Sequence, residues 1–149
     1  MGNKKSITVR GRYTEIRQVC EFVSEGAARA GFDEDAIFQV QLACDEACTN
    51  IIEHTYREED VGDITVSWEI EGKAFVITIT DNGEQFNPRD IPPAPIPLSP
   101  LDEDEFEIKE GGLGVYFMRK LMDSVNYSYK KGNGNILTMK KKLPKKRNQ

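Results

Sequence analysis

Glu46 and Asn50 stand four residues apart in the segment Asp45-Glu46-Ala47-Cys48-Thr49-Asn50, so on a helix their side chains are neighbours. A carboxylate can accept a proton from an attacking hydroxyl. Carboxylate and amide oxygens are also hard ligands suited to magnesium, which keeps several waters and takes phosphate oxygens as further partners. A second acid, Asp81, ends an apolar run and precedes Asn82-Gly83. A carboxylate there can accept a hydrogen bond from an exocyclic amine, and Gly83 lets backbone approach a flat ring. A third segment, Gly111-Gly112-Leu113-Gly114, opens a helical pattern. Helix N-termini offer free amides and a positive dipole end to phosphate. Singly, these segments read better as a polar helix face, an ordinary turn and a hinge. Together, in this order, they can hold a nucleotide, a metal ion and a general base in one cleft.

The elements that must position them follow from hydrophobic spacing. Ile7 and Val9 alternate with polar residues, predicting a short strand. Ile16, Val19, Cys20, Val23, Ala27 and Ala30 recur at helical spacing, and Gly31 ends that helix. Asp33 is a good cap for a second, longer helix, whose buried face is Ile37, Val40, Cys44, Ala47, Cys48 and Ile51. Ile64, Val66, Trp68 and Ile70, then Phe75, Ile77 and Ile79, predict two strands joined as a hairpin at Glu71-Gly72. Gly114 to Met122 predicts a helix. Val125, Tyr127 and Tyr129 predict a strand, Lys131-Gly132-Asn133-Gly134 a turn, and Ile136 to Lys140 a closing strand. The expected fold is α+β, a two-layer sandwich with helices on one face of a mixed, mainly antiparallel sheet.

Residues 84–110 differ in kind. Pro88, Pro92, Pro93, Pro95, Pro97 and Pro100 exclude regular helix or internal strand, and 102–107 is strongly acidic. A long irregular stretch between two ligand-binding turns reads as a lid, and its proline-rich half equally as a tolerated surface insertion.

The chain of 149 residues predicts one domain. Its net charge of −5 argues against nucleic acid as the main partner. No apolar run approaches membrane-spanning length and the start lacks a signal peptide's apolar core, so a cytoplasmic protein without membrane contact is expected. A basic tail over 143–149, with Lys140-Lys141-Lys142 before it, reads as a solvated terminus, or as a docking patch for an acidic partner. Three cysteines give no disulfide framework, and the one histidine, His54, is not at a zinc spacing. There is no P-loop, no dinucleotide fingerprint and no serine–histidine–acid triad.

Glu46-Ala47-Cys48-Thr49-Asn50 with Glu53-His54 resembles the N box of GHKL (Bergerat-fold) ATPases. Asp81-Asn82-Gly83 with Phe86-Asn87-Pro88 resembles their first glycine box, and Gly111-Gly112-Leu113-Gly114 followed by Met118-Arg119-Lys120-Leu121-Met122-Asp123 their second. Within that superfamily the chain, from about Ser6 to Leu143, resembles the stand-alone bacterial anti-sigma factor serine/threonine kinases of partner-switching systems. The resemblance implies ATP and Mg2+ as cofactors, with Asn50 on magnesium and Asp81 on the adenine amino group. It implies that Gly83, Gly112, Leu113 and Gly114 shape the nucleotide pocket, that Thr138 on the last strand helps hold adenine, and that Glu46 is the general base. It implies a substrate serine or threonine on an anti-anti-sigma (STAS-domain) protein, a sigma factor as second partner, and a homodimer. Gln85 departs from the pattern, standing where many relatives have a second glycine. The alternative reading is a module that binds nucleotide and sequesters a partner without significant phosphoryl transfer.

Overall fold

The computed structural model describes residues 4–85 and 118–145. The chain order is β1 (Lys5–Arg10), α1 (Tyr13–Arg29), α2 (Glu34–Asn50), a π-helical turn (Ile51–Tyr56), β2 (Asp63–Glu71), β3 (Ala74–Asp81), β4 (Ser124–Lys130) and β5 (Gly134–Lys142). Residues 118–121 are also helical, within the stretch where a helix is predicted. The five strands form one sheet in the order β1-β2-β3-β5-β4, and every pairing among the described residues is antiparallel.

The register sorts the side chains by face. Val66 pairs with Ile79, Trp68 with Ile77, Ile79 with Leu137 and Ile77 with Met139. Partners in an antiparallel ladder share a face, so these residues form one apolar sheet surface. Against it pack Ile16, Val19, Val23 and Ala27 of α1 and Val40, Ala43, Cys44, Ala47 and Cys48 of α2, in one core cluster. The result is the expected layer of helices on one sheet face.

Local choices explain the fit. Asp33 caps α2, its Oδ1 accepting from Ala36 N–H at 2.9 Å. In α1 a Cβ at Gly26 would collide with the Trp68 indole. The β2–β3 turn falls at Gly72-Lys73, one residue beyond the expected position, with Gly72 at φ +62°.

Lys140–Lys142 do not belong to a free tail. They complete β5, and the Lys141 ammonium donates to the Leu121 carbonyl at 2.7 Å. Leu143 N–H is likewise tied to Lys73 C=O at 2.8 Å. No helix among the described residues is long and apolar enough to cross a membrane.

Candidate functional site

The site forms where α2 runs out over the end of β3. α2 does not continue as an α-helix: from Ile51 to Tyr56 the turn widens to a π-helix, and Arg57 leaves it at φ 70°. π-turns within helices are uncommon and cluster at functional sites. This one begins directly after Asn50. It lets the helix present Asn50 to the sheet while turning Thr55 and Tyr56 toward the β3 exit.

Asn50, Asp81 and Asn135 are buried polar residues, at 5%, 4% and 5% exposure. All three line one narrow cleft, with Ala47, Ile51, Thr55, Ile79, Tyr127 and Leu137 forming the rest of its wall. A mostly apolar wall with a few convergent polar groups is the usual make-up of small-molecule sites.

Asp81 is held from two directions. Its Oδ1 accepts from Gly83 N–H at 2.8 Å and from Asn135 Nδ2 at 3.0 Å. Burial raises the Asp81 pKa above the ordinary carboxylate value, while these bonds pull the other way. The same Asn135 amide donates to the Glu84 carbonyl at 2.7 Å. Two glycines make the corner possible. A Cβ at Gly83 would collide with Thr55 Cγ2, and one at Gly134 would collide with the Asp81 carbonyl.

Asn50 is different. Its Nδ2 is buried and has no hydrogen-bond partner among the described residues. An unpaired buried amide costs about 1–3 kcal/mol, which a ligand oxygen would recover. One turn earlier stands half-buried Glu46. Its pKa is raised by burial first, then by the neighbouring charges of Asp45 and Glu53. The carboxylate is therefore a stronger base than an exposed one. Among the described residues no group of three or more His, Cys, Asp or Glu side chains is placed to hold a metal. Glu46 and Asn50 thus offer two hard oxygen donors at most, which fits magnesium and does not fit a closed calcium or zinc cage. The thiols take no part. Burial pushes Cys20 up to about 11 and Cys44 and Cys48 well above the usual thiol range.

Of the predicted site residues, Asn50 and Asp81 share the cleft, Gly83 is bonded to Asp81, and Glu46 stands one turn before Asn50 on α2. Thr138 does not. It pairs with Thr78, and the alternation of β5 puts both on the sheet face opposite Leu137 and Met139. The β5 residue that touches Asp81 is Asn135. Its parity with buried Leu137 and Met139 was the sequence signal for it, and the same parity excludes Thr138. Gly112, Leu113 and Gly114 lie outside the described residues, as do Phe86 to Pro88 and residues 86–110 of the expected lid.

Comparison with known proteins identifies the family. A family model described as the histidine kinase-like ATPase domain matches residues 9–141. This chain belongs to that family. The serine-protein kinase RsbW of Listeria monocytogenes is 34% identical over 127 residues, spanning 79% of this chain and 79% of that protein. RsbW of Listeria innocua is 33% identical over the same extent, 127 residues and 79% of each chain. RsbW of Bacillus cereus is 33% identical over 112 residues, 75% of this chain and 69% of that protein. Within its family the chain is an ATP-using protein serine/threonine kinase.

Proposed function

We propose that this kinase is the anti-sigma factor of a partner-switching system, using ATP with magnesium to phosphorylate a serine or threonine on an anti-anti-sigma STAS-domain protein. In this reading it binds a sigma factor, works as a homodimer, and releases the sigma factor when the unphosphorylated antagonist competes for it. The observation that carries the chemistry is the unpaired buried amide of Asn50, on the wall that it shares with Asp81 and one turn from Glu46.

The roles follow from that layout. The Asp81 carboxylate accepts a hydrogen bond from the adenine amino group, and Gly83 keeps the turn beside it open to the ring. Asn50 and Glu46 face the phosphate end. Phosphoryl transfer needs positioning and charge stabilisation more than covalent chemistry from the protein. Glu46 orients the partner's hydroxyl and takes its proton as the oxygen attacks. Magnesium, when bound through Asn50, supplies positive charge to the phosphate oxygens. The resemblance assigns Gly112, Leu113 and Gly114 to the phosphates.

The test is transfer from radiolabelled ATP to purified STAS-domain proteins encoded beside this kinase. Label should appear on one serine or threonine of a STAS protein with the wild type and be lost with Glu46→Gln, while ATP still binds both. Tight binding of the STAS protein without label in either case would defeat the kinase assignment in favour of sequestration. Undiminished transfer by Glu46→Gln would remove the base.

A further inference from the structure

Tyr56 ends the π-helical turn and is buried. Its hydroxyl serves two backbone groups at once, accepting from Asn82 N–H at 3.0 Å and donating to Asp63 C=O at 2.5 Å. Its ring is confined between glycines. A Cβ at Gly62 would come within 2.6 Å of the ring, and one at Gly11 within 3.2 Å. The phenol therefore has one place to be.

That place connects the two halves of the site. The Asn82 amide held by Tyr56 belongs to the peptide joining Asp81 to Asn82. The next amide, that of Gly83, donates to Asp81 Oδ1. Fixing the first amide restricts the turn that carries the second, and so adds to the hold that Asn135 has on the carboxylate. The phenol that does this rides on the helix that carries Glu46 and Asn50. A regular α-helix continuing past Asn50 would bring residue 56 out at a different angle, so the wider turn is what delivers the hydroxyl to Asn82.

We infer that Tyr56 is a positioning residue for base selection: by holding the Asn82 amide it aims the Asp81 carboxylate, so that a base with an exocyclic amine is accepted and one with a carbonyl there is refused. The inference rests on the reading of Asp81 as the acceptor for the base. A carboxylate whose angle is fixed discriminates because it meets a carbonyl oxygen with repulsion and cannot turn away. One held by Asn135 on a looser turn can tilt, and loses part of that penalty along with part of its bond to the amine.

Tyr56→Phe keeps the ring and removes the hydroxyl. Dissociation constants for ATP and for ITP, which carries a carbonyl in place of the amine, are measured by calorimetry on the full-length protein and the variant. The expected result is weaker ATP binding, a smaller change for ITP, and a drop of about fivefold or more in the preference for ATP, the scale of one hydrogen bond. A merely structural tyrosine would lower thermal stability and leave the preference unchanged, and that result overturns the inference. If Tyr56→Phe does not fold, 3,5-difluorotyrosine at position 56 keeps the shape and weakens the oxygen as an acceptor. The preference should fall in the same direction, and an unchanged preference again overturns it. A wild type that binds ATP and ITP alike would defeat the Asp81 reading, and the Tyr56 role with it. A discriminating wild type with an equally discriminating variant would defeat the Tyr56 role alone.

Discussion

Asn135 Nδ2 donates to Asp81 Oδ1 across 3.0 Å, joining the second residue of β5 to the last residue of β3 in a corner where both side chains are buried. This bond favours the ionised form of a carboxylate that burial pushes the other way. Removing it with Asn135→Leu should destabilise the protein by about 1–3 kcal/mol. The loss has a pH signature. The Asp81 pKa is already raised by burial, and without the Asn135 donor it rises further. A carboxylate raised on folding adds stability below its unfolded pKa and loses it as pH climbs through the folded value. The deficit of Asn135→Leu should therefore grow as pH climbs from about 4, the unfolded carboxylate value, to neutral, read from urea unfolding across that range.

Asn50 separates function from stability. Its buried Nδ2 has no partner to lose among the described residues, so Asn50→Ala should leave the thermal midpoint of the ligand-free protein unchanged or slightly raised. Affinity for ATP in the presence of magnesium should fall about 10- to 100-fold, the range for a charge-assisted contact. Scanning calorimetry and titration calorimetry on the same preparation check both halves. A large loss of midpoint with unaltered affinity would make Asn50 a structural residue.

Glu46 should impose an acid limb on phosphoryl transfer. Burial and the charges of Asp45 and Glu53 raise its pKa above 4.5, so the rate should begin to fall on acidification before an exposed glutamate would protonate. Glu46→Gln should reduce transfer by about 10²- to 10⁴-fold and erase that limb. It should also stabilise the fold at neutral pH and above. The raised pKa means that ionised Glu46 opposes folding there, an effect that vanishes below the unfolded pKa. Rate–pH profiles and unfolding curves for wild type and variant measure these effects.

The close approach of Gly83 to Thr55 predicts a rescue. Gly83→Ala drives a methyl into Thr55 Cγ2 and should cost about 1–3 kcal/mol, with weaker ATP binding as the Asp81 turn is displaced. Thr55→Ser removes that methyl group. The double variant should regain a good part of both losses. Equal deficits in the single and double variants would place the strain elsewhere.

Much of this was legible in the chain itself. Spacing of 3.6 marked α1 and α2, spacing of 2 marked the strands, and Asp33 and Gly31 marked helix ends that the structure keeps. The three boxes named the family, and two of them supplied Glu46, Asn50, Asp81 and Gly83. Those signals are local: a residue's neighbours three, four or two positions away are fixed by backbone geometry alone.

Tertiary structure alone decided the rest. Hydrophobic spacing does not report the width of a hydrogen-bonded turn, so the π-helix at Ile51–Tyr56 was not visible. Nor was the delivery of the Tyr56 hydroxyl to Asn82, a partner 26 residues away. A threonine on the last strand is a reasonable choice for a ligand contact until strand pairing is known. The pairing of Thr138 with Thr78 then turns it from the cleft, and Asn135, 54 residues from Asp81, takes the contact. Strand register is a property of two segments together, and a shift of one residue exchanges the two faces of a sheet. The sequence by itself determined which elements form and which residues can do chemistry. Only the packed sheet decided which of them meet.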